Sequence, residues 1–309
     1  MRHAGYVTLL GRPNVGKSTL LNHLLEQKIS ITSPKPQTTR HIILGIKTVS
    51  TTSSEEPDTQ IVYVDTPGLH RPGKRALNRY MNRVAADSLS FADVAVFLVE
   101  ALRWTEEDDI VLQSLKDFDK PVLVAVNKID RVQDKTRLLP FLKELTGRRA
   151  FAEVIPLSAL RADNIEVLEH AITARLPQAE FFFSEDEITT ASQRFLAAEI
   201  IREKLFRRLN KEVPYALTVE IEQFQEKAGQ GKARLLHIGA VIWVERAGQK
   251  GIVIGDKGAT LKEIGQQARL DMERLFESKV FLETWVKVRQ GWSDDERALQ
   301  QLGYQDDVS

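Results

Sequence analysis

The sequence predicts two domains, an α/β domain with a mostly parallel, doubly wound sheet and a smaller α+β domain after it. Its 309 residues are 42% hydrophobic, which is enough for two cores of ordinary size. In the first half of the chain, continuous apolar runs alternate with helical segments, as in parallel strands covered on both faces. A proline, three successive phenylalanines and an acidic cluster interrupt this alternation at 176–187. We therefore predict domains at 1–178 and 192–290, a linker at 179–191 and a tail at 291–309.

Composition excludes some kinds of site and leaves others open. The 43 basic and 43 acidic residues cancel, so net charge neither predicts nor excludes a polyanionic partner. The chain has no cysteine, which excludes disulfides, thiolate metal sites and a thiol nucleophile. The N-terminus has no signal-peptide core, and no run of about eighteen apolar residues occurs. We therefore expect a soluble, intracellular protein.

A glycine-rich segment lies between the first predicted strand, at 6–10, and a helix. Residues 11–18 have the sequence GRPNVGKS and fit the phosphate-binding pattern GxxxxGKS. In such a loop, backbone N–H groups and the start of the helix face phosphate oxygens. Lys17 would reach the β and γ phosphates, and Ser18 would hold Mg²⁺. A glycine turn that matches by chance is the alternative, and the strand before and helix after argue against it. The candidate nucleotide contacts are Gly11, Arg12, Pro13, Asn14, Val15, Gly16, Lys17, Ser18 and Thr19.

A polar segment at 30–40 predicts a loop beside this phosphate site. Its two prolines are compatible with neither a helix nor a central strand. In nucleotide switches, such a loop offers a threonine hydroxyl to Mg²⁺ and a backbone N–H to the γ-phosphate. Thr38 and Thr39 are the candidates, and the sequence does not choose between them. A plain connector is the alternative.

Strands predicted at 41–47 and 60–64 are joined by a polar tip at 50–58, and the second strand ends in Asp65, Thr66, Pro67 and Gly68. A carboxylate at the end of a buried strand, next to a phosphate loop, suits a water-mediated contact to Mg²⁺. Gly68 can offer its N–H to the γ-phosphate. Many related switches have a glutamine after this glycine that orients the attacking water. Leu69 occupies that position here, so another group must position the nucleophile.

The apolar runs at 92–99 and 121–126 predict two further parallel strands. The second leads into Asn127, Lys128 and Asp130. A carboxylate there can accept hydrogen bonds from N1–H and the exocyclic amine of guanine, and would reject adenine. Asn127 can bridge neighbouring loops and Lys128 can cover the purine face. After a last strand, Ser158 and Ala159 form a loop that can approach guanine O6. An ordinary surface turn is the alternative for this NKxD motif.

These elements, in this order, resemble the G domain of translation-factor-related GTPases, and the segments 12–14 and 37–40 resemble the Era branch. The resemblance implies a Ras-like P-loop GTPase domain that binds GTP and GDP with Mg²⁺ and hydrolyses GTP to GDP and phosphate. The residues implied in catalysis are Asn14, Lys17, Thr38, Thr39 and Gly68. In GTPases that lack the glutamine, an asparagine at the place of Asn14 often helps to bind K⁺, which supplies positive charge near the phosphates. The alternative is that Asn14 only caps a turn.

The second domain is predicted to begin with a helix capped by Thr190 and Gln193. Between 194 and 262 the chain has thirteen Lys or Arg residues and eight Asp or Glu residues. This local excess is compatible with a phosphate partner or with a solvated basic face. The basic residues predicted opposite the apolar stripe of the helix are Arg202, Lys204, Arg207, Arg208 and Lys211.

A GxxG sequence at 255–258 favours the phosphate partner. It follows an apolar turn of chain at 252–254 and precedes an amphipathic helix, with strands predicted at 216–224, 240–245 and 280–288. Glycines let a nucleic-acid backbone come close to the protein, and the helix offers aliphatic groups to unstacked bases. The candidate RNA contacts are Ile252, Ile254, Gly255, Asp256, Lys257, Gly258, Lys262 and Trp292.

This module resembles a type II KH domain, and its pairing with the G domain matches the Era family along nearly the whole chain. The resemblance implies a cytoplasmic, monomeric protein that binds 16S rRNA near its 3′ end during small ribosomal subunit assembly, with hydrolysis timing release. It also implies a weak peripheral contact with the inner face of the cell membrane, which no lipid motif or sustained basic amphipathic helix supports here. A constitutive RNA-binding module with a tethering G domain, and a P-loop phosphotransferase, are the alternatives.

Overall fold

The computed structural model describes residues 1–50, 57–69, 75–210, 212–228 and 234–304. Four parts of the sequence interpretation lie wholly or partly outside these residues. They are the polar tip at 50–58, the segment just after Leu69, Lys211 and the end of the tail at 305–309.

The first sheet has six strands within the described residues. They are β1 (His3–Leu10), β2 (Ile43–Val49), β3 (Thr59–Asp65), β4 (Val94–Glu100), β5 (Val122–Asn127) and β6 (Glu153–Pro156). Five helices of this part of the chain accompany them. They are α1 (Lys17–Leu24), α2 (Ala76–Asp87), α3 (Glu106–Ser114), α4 (Leu138–Thr146) and α5 (Ile165–Thr173).

The strand order is β2-β3-β1-β4-β5-β6, and every neighbouring pair is parallel except β2 with β3. The central strands are buried nearly throughout, because helices cover both faces of the sheet. The carboxyl ends of β1, β3, β4 and β5 meet at one edge. The order reverses between β1 and β4, and such a switch point forms the crevice where open α/β sheets bind ligands.

The second part of the chain forms a three-stranded sheet with three helices. These elements are α6 (Gln193–Arg208), β7 (Leu217–Ala228), β8 (Arg234–Val244), α7 (Ala247–Ile254), α8 (Ala259–Leu275) and β9 (Lys279–Val288). Strand β8 is antiparallel to β7 and parallel to β9. Apolar side chains of α6 and α8 pack with those of the sheet in one buried cluster.

Two local predictions for this part are wrong. The helix α6 is capped by Ser192, whose hydroxyl accepts a hydrogen bond from the N–H of Phe195 at 3.2 Å, and not by Thr190 and Gln193. The apolar stretch 252–254 is the last turn of the helix α7 and not an isolated turn. Its short length and two internal glycines hide the helical period from sequence inspection.

The linker predicted at 179–191 follows the edge of the first sheet. The guanidinium of Arg2 lies 4.6 Å from the ring centre of Phe181. Further along, the carbonyl of Ile188 accepts a hydrogen bond from the N–H of Ile46 in β2 at 2.9 Å. These contacts hold the linker on the first domain.

The tail packs back onto α2 through the helix α9 (Glu296–Gln301). Trp292 is fully buried in an apolar cluster with Tyr80, Leu299 and Tyr304, and its Nε1–H faces the carbonyl of Ala216 at 3.4 Å. The prediction that Trp292 contacts RNA is therefore wrong for this arrangement, because a fully buried indole cannot stack on a base. None of the described helices combines the length and apolar character needed to cross a membrane.

Candidate nucleotide and RNA sites

A cavity of about 870 Å³ opens at the crevice where β1, β3 and β5 end. It brings together segments that are far apart in sequence. The predicted residues that line it are Arg12, Pro13, Asn14, Gly16, Lys17, Ser18, Thr19, Thr38, Thr39, Gly68, Asn127, Lys128, Asp130 and Ala159. The predicted residues behind its lining are Gly11, Val15, Asp65, Thr66, Pro67 and Ser158.

The loop 11–18 is packed tightly around its own backbone. Gly16 has φ of 112°, and a Cβ built there would lie 2.3 Å from Nδ2 of Asn127. That amide donates a hydrogen bond to the carbonyl of Val15 at 2.8 Å. The loop is therefore shaped before any ligand arrives, as a phosphate cradle requires.

Lys17 lies buried at the floor of this cradle. Its Nζ donates hydrogen bonds to the carbonyls of Gly11 at 3.0 Å and Arg12 at 3.2 Å. Burial lowers the pKa of Lys17 to about 8, against the opposing charge of Asp65. An anion in the cavity would favour the charged amine.

Hydroxyl groups converge on the buried carboxylate of Asp65. Its Oδ2 accepts from the hydroxyls of Ser18 at 2.7 Å, Ser30 at 2.7 Å and Thr39 at 3.4 Å. Its Oδ1 is buried without a hydrogen-bond partner, and burial raises the pKa of this carboxyl. An unpartnered carboxylate oxygen beside hydroxyls fits the oxygen ligands and ordered waters of Mg²⁺.

The geometry distinguishes Thr38 from Thr39. The hydroxyl of Thr39 lies 2.7 Å from that of Ser18, whereas the hydroxyl of Thr38 donates to the carbonyl of Lys35 at 2.7 Å. Among the described residues, no group of three or more His, Asp or Glu side chains could hold a metal ion. Mg²⁺ at this place would therefore depend on phosphate oxygens and water as well as on protein hydroxyls.

At the other end of the cavity, Asn127 fixes the predicted base-binding loops. Its Oδ1 accepts from the N–H groups of Lys128 at 2.7 Å and Ala159 at 2.9 Å. Asp130 accepts a hydrogen bond from the hydroxyl of Ser158 at 2.7 Å. Because Ser158 holds it in place, the carboxylate of Asp130 lines the cavity with a set orientation.

A charged network under the cavity was not predicted. Arg12 is nearly buried, donates to Glu100 and lies 3.4 Å from Asp108. Nζ of Lys128 lies 3.2 Å from the same carboxylate of Glu100. The guanidinium of Arg12 is thus held by carboxylates, although the residue lines the cavity. The sequence signal that could have indicated this network is the position of Glu100 at the carboxyl end of the strand β4.

Thr66 and Leu69 serve the packing of the first domain. The buried hydroxyl of Thr66 donates to the carbonyl of Leu9 at 2.7 Å. Leu69 is buried in an apolar cluster with Leu10 and Ala85. Its side chain therefore points into the core, and the expectation that Leu69 does not position water stands.

The GxxG loop lies between α7 and α8, on the other domain. Gly255 and Gly258 have φ of 74° and 81°, and a Cβ at Gly258 would meet nothing within 4 Å. Asp256, Lys257 and Lys262 are exposed, and Ile254 is half-buried. Ile252 is 52% exposed beside a cleft of about 310 Å³. This loop is open to a ligand that approaches from outside.

The prediction that the basic residues of α6 lie on a free face is wrong for Arg202 and Lys204, which are buried. Lys204 donates to Asp271, and Arg208 donates to Glu263 at 2.9 Å. Arg202 and Arg207 make their hydrogen bonds with carboxylates of α6 and with the loop 30–40. These four cations make their hydrogen bonds within the protein, so α6 does not supply a free phosphate-binding surface.

Comparisons of the sequence match both parts of the chain to known families. A family model described as 50S ribosome-binding GTPase matches residues 6–128, and a KH domain model matches residues 212–293. GTPase Era of Pseudomonas aeruginosa (strain LESB58) is 58% identical over 302 residues, covering 98% of this chain and 95% of that protein. GTPase Era of Azotobacter vinelandii (strain DJ / ATCC BAA-1303) is 57% identical, with 98% and 97% covered.

Solved structures share the whole arrangement. A crystal structure of Era in complex with MgGDPNP and nucleotides 1506–1542 of 16S ribosomal RNA has a TM-score of 0.92 and 39% identity. The match covers 98% of this chain and 99% of the chain in that structure. A variant of Aquifex aeolicus Era bound to GDP and aluminium fluoride gives a TM-score of 0.91, with the same identity and coverage.

The P-loop cavity with its NKxD loop and the KH module after it define the class of protein, a P-loop GTPase that carries a KH domain. This protein hydrolyses GTP to GDP and phosphate. The chain belongs to the Era family of GTPases. The predicted family, fold class and enzymatic activity are confirmed.

Proposed function

We propose that GTP binding and hydrolysis in the first domain control the binding of 16S rRNA by the KH module during assembly of the small ribosomal subunit. One observation carries this proposal. A cavity lined by the predicted phosphate and base motifs and an open GxxG loop occur in a chain that matches, over 98% of its length, an Era structure holding both MgGDPNP and a 16S rRNA fragment. The domain division 1–178, 179–191, 192–290 and 291–309 belongs to the same proposal.

GTP would occupy the cavity with its phosphates at the loop 11–18 and its base at Asp130. Lys17 would face the β and γ phosphates, and Asp130 would accept the two guanine donors. Ser18 and Thr39 would hold Mg²⁺, with Asp65 acting through water. Bound Mg²⁺ neutralises charge that develops on the phosphates during hydrolysis. Asn14, Thr38 and Gly68 would complete the wall around the γ-phosphate.

K⁺ is a further proposed cofactor, because Leu69 cannot orient water. Asn14 lines the cavity, and its Nδ2 donates to the carbonyl of Pro34 at 2.9 Å. The remaining oxygen of the Asn14 amide and the carbonyl of Pro34 are ligand types that suit a monovalent cation. The turn-capping role of Asn14 stays the alternative.

RNA would bind along the GxxG loop. The backbone at Gly255 and Gly258 can approach phosphates, and Lys257 and Lys262 can neutralise them. Ile252 and Ile254 present aliphatic groups next to the loop. Single-stranded RNA fits this open surface better than a duplex, because its bases can be splayed onto the side chains.

The test compares RNA affinity in two nucleotide states. Affinity for a 16S rRNA 3′-end oligonucleotide is measured with GDP and with a non-hydrolysable GTP analogue, each with Mg²⁺. We expect at least about fivefold tighter binding in one state, since linked sites couple by roughly 1–3 kcal/mol. Equal affinities, or wild-type binding by Lys17→Ala, would instead favour a constitutive RNA-binding module with a tethering G domain.

The ribosomal partner is tested by sedimentation. The matched family model is described as 50S ribosome-binding, whereas the likeness to the complex with 16S rRNA favours the small subunit. We expect co-sedimentation with purified 30S subunits and not with 50S subunits. The reverse result would contradict the proposed assembly role. Crosslinking followed by sequencing of the bound RNA identifies the segment contacted.

A cytoplasmic monomer with a weak peripheral membrane contact remains part of the proposal. Vesicle flotation with anionic lipids tests the membrane contact, and light scattering tests the monomer. Loss of flotation at 0.5 M salt would be expected of a contact that depends on surface charge, since the Debye length shrinks to a few ångströms.

A further inference from the structure

The segment 28–40, which borders the nucleotide cavity, contacts the helix α6 of the second domain at several points. Lys28 contacts Glu203 at 2.6 Å, and the N–H of Thr32 donates to the same carboxylate at 3.0 Å. Lys35 donates to the carbonyls of Phe206 and Leu209 at the end of α6. The loop is therefore held between the cavity and the helix α6.

Arg202 contacts the residue just before Thr39. Its guanidinium is 1% exposed, and its Nε donates to Oε1 of Glu199 at 2.7 Å. Its Nη2 donates to the backbone carbonyl of Thr38. The planar guanidinium is thus fixed by one carboxylate and aimed at one carbonyl, a geometry that a flexible lysine would not reproduce.

Thr38 immediately precedes the residue whose hydroxyl lies beside Ser18. With its carbonyl held by Arg202 and its hydroxyl bonded to Lys35, Thr38 is tied at two points. The next peptide is thereby oriented so that the hydroxyl of Thr39 is 2.7 Å from that of Ser18. A small rotation of this peptide would carry the hydroxyl of Thr39 away from the proposed metal.

We propose that Arg202 is a positioning residue for the Mg²⁺ site of the first domain, acting from the second domain through the carbonyl of Thr38. Arg207 has a supporting part. It donates to the carbonyl and hydroxyl of Thr32 at 3.1 and 3.0 Å, and it is a lining residue of the nucleotide cavity. The inference rests on the proposed nucleotide and Mg²⁺ site.

A purely structural role is the competing explanation. A buried pair between Arg202 and Glu199 could simply hold the domains together. Such a role predicts a change in thermal stability and no change in the Mg²⁺ requirement. A positioning role predicts that the Mg²⁺ requirement changes even where the protein stays folded.

The test uses the full chain with the double substitution Glu199→Leu and Arg202→Met. Removing both charges avoids leaving one buried charge without a partner. Arg208→Met is the matched control, because Arg208 lies on the same helix and, within the described residues, donates its hydrogen bond to Glu263 of the KH module. Arg207→Met is a second variant whose half-exposed side chain can be lost without opening the core.

Two readouts are used. The first is the Mg²⁺ concentration that gives half-maximal binding of a fluorescent non-hydrolysable GTP analogue. Loss of a charge-assisted hydrogen bond predicts that this Mg²⁺ concentration rises about tenfold in the double variant and about threefold in Arg207→Met. It should not change in Arg208→Met. GDP affinity without Mg²⁺ should stay within about twofold of wild type. The second readout is hydrogen exchange of residues 38–40 in the nucleotide-free protein, which should quicken in the double variant.

Unchanged Mg²⁺ half-saturation and exchange in a folded double variant would overturn the inference. If the double variant does not fold, Arg202→Lys decides, because it keeps the buried charge without the planar guanidinium that reaches Thr38. A wild-type Mg²⁺ requirement in that variant would overturn the inference equally. A wild-type protein that fails to bind the GTP analogue at any Mg²⁺ concentration would refute the proposed nucleotide site, and the inference with it. If the wild-type protein binds the GTP analogue and the variants have the same Mg²⁺ requirement, the inference is refuted and the proposed nucleotide site is not.

Discussion

The loops 11–18 and 255–258 use glycine in the same way and pack in opposite ways. Each contains a left-handed glycine, Gly16 or Gly258, that is the N-cap residue of the following helix. A Cβ at Gly16 would collide with Asn127, whereas a Cβ at Gly258 would meet nothing within 4 Å. One loop is enclosed by the rest of the domain, and the other stands open.

The difference matches the shapes of the proposed ligands. A nucleotide is small and has a fixed outline, so a cradle set by close packing binds it without reorganisation. An RNA strand continues beyond the protein on both sides, so its backbone must pass across an open edge. The glycine just before the helix is needed for its space in the first loop, at Gly16, and for its backbone conformation alone in the second, at Gly258.

The largest expected effect comes from adding one methyl group to each loop. Gly16→Ala combines backbone strain at φ of 112° with loss of the Asn127 to Val15 hydrogen bond. We expect GDP affinity to fall by about 100-fold or more. Gly258→Ala has the strain but no collision, so RNA affinity should fall by less than about fivefold. Calorimetry with MgGDP measures the loss of GDP affinity, and filter binding measures the loss of RNA affinity. Equal losses would contradict the proposed difference between the loops.

A charge tests the open loop more severely than a methyl group. Gly258→Asp places a carboxylate where RNA phosphates are proposed to approach. We expect RNA affinity to fall by about tenfold at 0.1 M salt, with nucleotide affinity unchanged. Unchanged RNA affinity in filter binding would mean that the GxxG loop is not the RNA-binding site.

Burial in the first loop should make nucleotide binding depend on pH. The pKa of Lys17 is about 8 in the folded protein, below its ordinary 10.5, so its burial opposes folding below pH 8. That opposition fades as the pH rises from 8 towards 10.5. Phosphates favour the charged amine, so binding takes up a proton above pH 8. GDP affinity should fall by up to about fivefold between pH 8 and 9.

Calorimetry in two buffers of different ionisation enthalpy measures that proton directly. Uptake should be near zero at pH 6.5 and clear at pH 8.5, and Lys17→Met should abolish it. No uptake by wild type at pH 8.5 would contradict the prediction.

The smallest effect concerns the cation. We expect GTP hydrolysis to be a few-fold faster in KCl than in NaCl, because a fixed cation near the phosphates stabilises developing charge. Asn14→Ala should remove the difference. Asn14→Gly is the matched variant, since it accepts the φ of 62° at this position without strain. Equal wild-type rates in both salts would leave Asn14 with the turn-capping role.

The parallel sheet and the nucleotide cavity were predictable because their signals are local. Strands such as β4 and β5 are continuous apolar runs, and Lys17 and Asp130 occur in motifs with fixed spacing. Trp292 and Arg202 were misread because their surroundings come from distant parts of the chain. An indole in a polar tail and an arginine opposite an apolar stripe look exposed until the other domain covers them. The choice of Thr39 over Thr38 likewise depended on Lys35 and Asp65 in three dimensions.

The burial of Trp292 and Tyr304 against α2 has a consequence for biosynthesis. A chain is made from its N-terminus, so when Tyr80 leaves the ribosome, the residues that cover it have yet to be joined. The apolar side of α2 stays uncovered until residues 292–304 emerge. The first domain can thus form its sheet early, but its final surface is completed only when residues 292–304 have left the ribosome.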